Sequence, residues 1–437
     1  MLLIYTHKTT PRIRYIFKHI FTSILGIEID FSENVEQFVS YSGPKFTYDK
    51  EELGGELFFE AHNLLFEKGI EEDVEIDLVF KDEIPYFFKS SFDSALSHDL
   101  FAASFYLITR YEEYLPTVKD SLGRFQAKYS LAYQNGFLKL PVVDLWAREI
   151  LEKVQEKYPN VQASQRHFSF INTINVHEAF KYKNRGLVYT TLYLTRDILT
   201  GNFREVSNRL RVVFGQKKDP YDTFDFLIDM HRNKGLKSIF FFSIGENSDQ
   251  DHNISLQREE YKELIKSIED YAFVGLNYSF KSIENTQLKR LERKDFEEVC
   301  NRLPNRVRQH LFKINFPYTY REIVENDILK DFSMGYPEDI GFRASTCTPF
   351  LFYDLKYESL TLLKVFPFIF TDLALKKKYD HDRKKIKQEM MNLILTVKEF
   401  NGLFIGVFNN STFSNETRWR GWRTIYSEFI DTVLSMK

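Results

Sequence analysis

Strand-like and helix-like segments alternate regularly from about residue 165 onward. The segment 237–243, with three consecutive phenylalanines, is typical of a buried strand, and 285–300 has the spacing of an amphipathic helix. Further strands are predicted at 167–176, 272–276, 306–312, 331–334, 350–355, 362–370 and 403–408. Repeated strand-helix units favour a parallel sheet, and this many units indicate closure into a barrel. The predicted fold class is therefore α/β, with a distorted (β/α) barrel at 165–437.

The length of 437 residues exceeds what one ordinary core supports, so two domains are expected. Residues 1–160 are predicted to form a smaller N-terminal α/β domain of unknown function. Its spine is a predicted apolar helix from Ser97 to Leu115, with Ser97 as the N-cap. No catalytic group of residues is evident in this part of the chain.

The charge and the cysteines limit the classes of partner and the compartment. A net charge of -3 gives no whole-chain field toward nucleic acid or an anionic membrane. No stretch reaches the roughly 18 apolar residues of a membrane span, and the apolar start is too short for a signal peptide. Cys300 and Cys347 form no disulfide framework and match no zinc motif. We expect a cytoplasmic protein that binds no nucleic acid.

Polar side chains stand where several predicted strands end. Asn175 and His177 end the first strand of the second half, and Asn277 follows Val274-Gly275-Leu276. Arg308 to His310 lie on the next strand, and Asn409 closes the last strand. Functional residues of such barrels lie at the carboxyl ends of the strands. These side chains should therefore converge on one mouth.

Six short segments, in this order, carry a resemblance to a known family. They are TINVHEAFKYK at 173–183, VGLNYSF at 274–280, RQH at 308–310, DFSMGY at 331–336, IGFRAST at 340–346 and WRGWR at 419–423. The chain resembles the polysaccharide deacetylases, the NodB-homology group of carbohydrate esterases. In particular, it is similar to a long form that has an N-terminal domain of unknown function before the barrel.

The resemblance implies a general base, a divalent metal site and a general acid at five positions, which here are Asn175, His177, Asn277, Lys281 and Asn409. An amide cannot accept a proton from water, so Asn175 is no base and Asn409 cannot shuttle a proton. Asn277 is a poor zinc ligand, and Lys281 would repel a metal if it faced the pocket. We therefore expect no intact catalytic residue, no metal and no other cofactor.

The remaining polar residues leave several interpretations open. Arg308, His310, Asp331, Arg343 and Trp419 are candidates to line a cleft that holds a carbohydrate without a metal. Alternatively, Arg308 and Arg343 pair with Asp331, Glu338 or Asp339 and hold the rim together; a protein partner is equally compatible. A relocated Zn²⁺ site formed by His177, His310 and Asp331 is a further alternative.

The leading hypothesis is a pseudoenzyme, a deacetylase-like protein that has lost metal-dependent deacetylation and serves as a binding or assembly subunit. The alternative is an active, divergent metal-dependent hydrolase that removes acyl groups from a carbohydrate.

Overall fold

The computed structural model of the chain describes residues 1–246, 248, 250–380 and 382–436. The first part contains β1 (Leu2–Tyr5), α1 (Pro11–Phe17), β2 (Ile29–Ser32), α2 (Val35–Ser40), β3 (Lys45–Asp49), β4 (Leu57–Glu60), β5 (Val79–Lys81), β6 (Ile84–Tyr86), α3 (Leu100–Ile108), α4 (Leu131–Gln134) and α5 (Val142–Lys157). Strands β1 to β4 form a parallel sheet in the order β2-β1-β3-β4, and β5 and β6 pair as an antiparallel hairpin.

The second part alternates strands and helices. It contains β7 (Ser169–Val176), α6 (Leu187–Leu199), α7 (Phe203–Val213), α8 (Phe224–Asn233), β8 (Ile239–Ser243), α9 (Glu259–Glu269), β9 (Phe273–Tyr278), α10 (Thr286–Cys300), β10 (Arg306–Gln309), α11 (Tyr318–Glu325), β11 (Lys330–Asp331), β12 (Phe350–Asp354), β13 (Ser359–Val365), β14 (Phe370–Thr371), α12 (Asp372–Tyr379), α13 (Arg383–Glu399), β15 (Leu403–Asn409) and α14 (Trp422–Ser435). Among the described residues, no helix is both long enough and apolar enough to cross a membrane.

Helix α3 is the buried centre of the first part, but it is shorter than the predicted helix from Ser97 to Leu115. Its N-cap is Asp99 rather than Ser97, because the Asp99 carboxylate accepts hydrogen bonds from the backbone N–H groups of Phe101 and Ala102. The helix ends before Arg110, whose φ of 56° is left-handed. Every residue of α3 is buried.

The second part is a mixed α/β structure with one large sheet, and the prediction of a closed barrel is wrong. The strand order is β12-β13-β11-β10-β9-β8-β7-β15-β14, so the sheet has two edges. The sheet does not close because of the strands at its two edges: β12 adds antiparallel to β13, and only two residues of β14 pair with β15. All other neighbours in the sheet are parallel.

The two faces of this sheet pack against different partners. One face joins the main core beneath the helices, as Phe240 and Phe242 of β8 do. The other face contributes alternate residues to a smaller apolar cluster that includes Phe241, Ile405 and Val407. Strand residues alternate between the two faces, so Asn175, Ser243 and Asn409 lie on the same face as this smaller cluster, at the carboxyl ends of their strands.

Buried ion pairs connect the two parts of the chain. The Glu113 carboxylate accepts hydrogen bonds from Arg343 at 2.9 Å and 2.5 Å and from Arg110 at 2.8 Å. Both partners are almost fully buried, so this network fixes the end of α3 against the second part. Arg12 pairs in the same way with Glu358.

Candidate functional site

Five neighbouring parallel strands bring their carboxyl ends together, as the sequence predicts. Asn409 of β15 lies opposite Asn175 of β7, and Ser243 of β8 lies opposite Asn277 of β9. Arg308 of β10 also lies opposite Asn277. A cleft of about 710 Å³ opens at these ends, and its lining includes Asn175, His177 and Asn409.

The guanidinium of Arg308 lies directly against Asn175. Arg308 donates to the Asn175 Oδ1 at 2.6 Å, to the Thr173 hydroxyl at 3.1 Å and to the Phe332 carbonyl at 2.9 Å. All three acceptors are neutral, and Arg308 forms no ion pair within the described residues. Burial lowers the pKa of Arg308 to about 9, against the opposing influence of Asp331. The side chain therefore still carries a positive charge at neutral pH.

The imidazole of His177 is neutral and lies between two side-chain amides. The Asn277 amide nitrogen donates to the His177 Nδ1 at 2.8 Å and to the Ser243 Oγ at 2.6 Å. The Asn175 amide nitrogen lies 3.4 Å from the His177 Nε2. Burial lowers the His177 pKa well below its usual value, and His310 and Arg308 lower it further. Both ring nitrogens of His177 therefore face an amide nitrogen.

His310 lies beside His177, with ring centroids 4.5 Å apart and the planes nearly perpendicular at 87°. The His310 Nε2 donates to the Gln250 carbonyl at 2.9 Å and is 3.7 Å from the Asp251 carboxylate. Burial lowers the pKa of His310, while Asp251 opposes that shift. The two imidazoles predicted for the relocated metal site thus meet. His310 Nε2 is engaged by a carbonyl, whereas the buried His310 Nδ1 has no hydrogen-bond partner among the described residues.

Asn409 is held by a carboxylate that the sequence analysis missed. The backbone N–H and the amide nitrogen of Asn409 donate to Asp372 at 2.7 Å and 2.8 Å. The Thr412 hydroxyl donates to the same carboxylate. Burial raises the pKa of Asp372 to about 6. Asp372 begins α12, a helix that was not predicted; Thr371, whose hydroxyl accepts from Ala374 as the N-cap, was the available signal.

Several candidate residues do not line this cleft. The Asp331 carboxylate accepts from the Tyr320 and Ser333 hydroxyls, and Arg343 pairs with Glu113 rather than with any of its expected partners. Trp419 is buried against Trp422, and Lys281 lines a separate groove of about 650 Å³. Glu338, an expected partner of the arginines, does line the cleft, where it pairs with Arg124 and Lys377.

The residues at the strand ends do not fit a divalent metal. In the alternative zinc set, the Asp331 carboxylate already accepts hydrogen bonds from two hydroxyls. Across the described ranges, no three His, Cys, Asp or Glu side chains come together in a way that could hold a metal ion. The amides of Asn175, Asn277 and Asn409 carry no charge. Among the described residues, the two imidazoles therefore lack the further imidazole, thiolate or carboxylate ligands that a zinc site requires.

Comparisons with known proteins give limited matches. A model described as a family of unknown function, DUF7033, matches residues 2–159. A search of curated proteins found no significant match. The division of the chain into domains near residue 160 stays a prediction.

Among solved structures, the chain is similar to a putative polysaccharide deacetylase from Mycobacterium smegmatis, with 14% identity, a TM-score of 0.40, and coverage of 63% of this chain and 87% of the other. It is also similar to the Puue allantoinase, with 10% identity, a TM-score of 0.39, and coverage of 62% and 85%. These TM-scores are too low to establish a shared fold or activity.

Proposed function

We propose that the second part of the chain is a deacetylase-like body that has lost metal-dependent deacetylation and serves as a binding or assembly subunit. One observation carries the proposal: the guanidinium of Arg308 donates at 2.6 Å to Asn175, where the resemblance implies a carboxylate base. The Asn175 amide, unlike a carboxylate, cannot take a proton from water. The Arg308 cation opposes the approach of a divalent metal.

The acid side of the reaction is affected in the same way. The resemblance implies a proton-donating histidine where Asn409 stands, and an amide does not titrate in the range where such catalysis operates. General acid-base catalysis contributes roughly 10²–10⁴ in rate, and a metal ion contributes further by activating water. Loss of base, metal and acid together should leave no measurable turnover.

The cleft retains features that suit a bound carbohydrate. Asn175, His177 and Asn409 offer amide and imidazole hydrogen bonds, and Leu373 and Phe312 provide apolar surface beside them. Such a mixture of apolar walls and a few polar groups is typical of small-molecule sites. We propose an acylated oligosaccharide as the ligand, bound without being cleaved, and a protein partner for assembly as the alternative occupant.

Calorimetric titration with acetylated oligosaccharides, followed by mass analysis of the recovered ligand, tests the proposal. Binding with the acetyl groups intact is expected. Leu373→Glu should weaken binding because Leu373 lines the cleft and is 51% exposed. Leu395→Glu is the matched control, since Leu395 is 50% exposed on α13 and does not line the cleft.

Three results decide between the interpretations. Loss of binding in Leu373→Glu alone supports a ligand-binding cleft. Equal effects of both variants, or no binding by the unaltered protein, contradict a carbohydrate ligand. Recovery of deacetylated ligand contradicts the loss of catalysis and favours the active, divergent hydrolase.

A further inference from the structure

Helices α6 and α7 present an apolar surface to solvent. Nine of the 28 exposed large apolar side chains of the described chain lie between residues 187 and 214. On α6 they include Val188, Leu192 and Leu199, with exposures of 83%, 64% and 81%. Phe203 and Phe214 at the two ends of α7 are 68% and 72% exposed. Exposed apolar residues concentrated in this way mark an interaction site.

The polarity of α6 is inverted relative to an ordinary surface helix. Val188, Leu192 and Leu199 follow the helical spacing i, i+4 and i+11, so they share one face. The partly buried positions, by contrast, include Tyr189 and Tyr193, and the only buried residue of α6 is Asp197. The aliphatic face therefore points away from the protein, and its exposure is not a by-product of core packing.

Polar contacts fix the hairpin of α6 and α7 to the body of the protein. Asp197 of α6 pairs with Arg209 of α7 at 3.0 Å. Glu205 of α7 accepts hydrogen bonds from Lys181 and Tyr182, which lie in the segment after β7. The apolar surface is thus held in place by charged and hydroxyl groups at its base.

The same segment is strongly basic. Residues 183–218 contain eight lysines and arginines and only two acidic residues, in a chain whose net charge is -3. Arg204 and Arg211 are exposed, and within the described chain neither forms an ion pair. An exposed apolar helix face combined with cations outside ion pairs on the neighbouring helix is the pattern that binds the interface of an anionic lipid bilayer.

We propose that the hairpin formed by α6 and α7 docks on an anionic membrane surface, with its apolar face in the headgroup region and its cations against lipid phosphates. A second copy of the chain is a poorer occupant, because a symmetric contact would place two basic faces against each other. The net charge of the whole chain is close to zero, so composition alone gives no indication of this basic, apolar surface.

Co-sedimentation of the full chain with vesicles tests the apolar component. Binding to vesicles of phosphatidylcholine with phosphatidylglycerol is expected, together with little binding to phosphatidylcholine alone. Replacing Val188, Leu192 and Leu199 together with Ser should lower the affinity at least about tenfold. The matched control replaces Leu360 and Leu362, exposed leucines of β13, with Ser and should bind as the unaltered protein does.

The charge component has its own pair of variants. Arg204→Gln with Arg211→Gln should lower the affinity for anionic vesicles by about tenfold or more, and added salt should have a similar effect. Lys384→Gln with Lys385→Gln removes two exposed cations from the start of α13 and should change nothing. Circular dichroism of every variant confirms that the fold is retained.

Other outcomes overturn the proposal. No binding to anionic vesicles at low salt, or equal losses in test and control variants, would contradict membrane docking. A dimer that is seen by sedimentation velocity and dissociates in the apolar variant, with no vesicle binding, would also contradict membrane docking. The surface would then join two copies of the chain.

Discussion

Asn175→Asp tests the electrostatics of the strand ends most informatively. The substitution is isosteric and places a carboxylate where Oδ1 now accepts from Arg308 at 2.6 Å. At an effective dielectric constant of about 20, the attraction across that distance is on the order of 6 kcal/mol. Desolvation of the new carboxylate costs several kcal/mol. We therefore expect a net gain of about 1–3 kcal/mol in the free energy of unfolding at pH 7.

The pH dependence supplies a second check on the same variant. The Arg308 cation should hold the pKa of the new carboxyl below about 3.9, its value in the unfolded chain. The gain is then fully present above about pH 4 and disappears as the pH falls through the lower, folded-state pKa. Urea unfolding of the variant and the unaltered protein across this range measures the difference.

The matched control is Asn172→Asp on the same strand. Asn172 is also fully buried, but its amide nitrogen donates to Ser238 and Tyr426, and no cation contacts it. This variant should be destabilised by roughly 2 kcal/mol or more, because it buries an unpaired charge. Equal destabilisation by Asn175→Asp and Asn172→Asp would refute the conclusion that Arg308 is a buried cation without a compensating carboxylate.

Three further predictions concern other parts of the molecule. Glu113→Gln leaves the buried Arg343 without its carboxylate, whereas Arg110 keeps Glu112, and it should lower the free energy of unfolding by about 3–5 kcal/mol. Glu338→Gln, at a half-exposed pair, should cost less than about 1 kcal/mol in thermal unfolding. Burial raises the pKa of Asp372 to about 6, so its carboxyl stabilises the folded state below about pH 4 and loses that contribution as the pH rises through 6. Asp372→Asn should remove this part of the pH dependence of the melting temperature. In nitrogen-15 NMR, the His177 ring should stay neutral as the pH falls through the ordinary histidine pKa of about 6.5, and a titration midpoint near 6.5 would contradict the environment described above.

The sequence predicted the strand and helix order of the second part well, because apolar periodicity is strong there. It predicted β15 at 403–408 and α10 at 285–300, and the structure has Leu403–Asn409 and Thr286–Cys300. It did not predict the open edges of the sheet. Closure depends on how β12 and β14 pair at long range, and local periodicity contains no information about such pairing.

The sequence could predict which residues lie at the strand ends, but it could not predict which distant residues would pair with them. Asn175, His177 and Asn409 line one cleft because parallel neighbours carry them to the same edge. The pairing of Arg343 with Glu113 joins positions 230 residues apart, so sequence proximity could not reveal it. Asp372 was missed because the helix that it begins is only 8 residues long.

Acetate release from acetylated oligosaccharides, measured with the purified protein and with added Zn²⁺, tests the central claim most directly. The account predicts no release above that of His177→Ala, with or without the metal. Metal-stimulated release that disappears in His177→Ala would show that the strand ends hold a working ion and proton acceptor, and it would contradict the account.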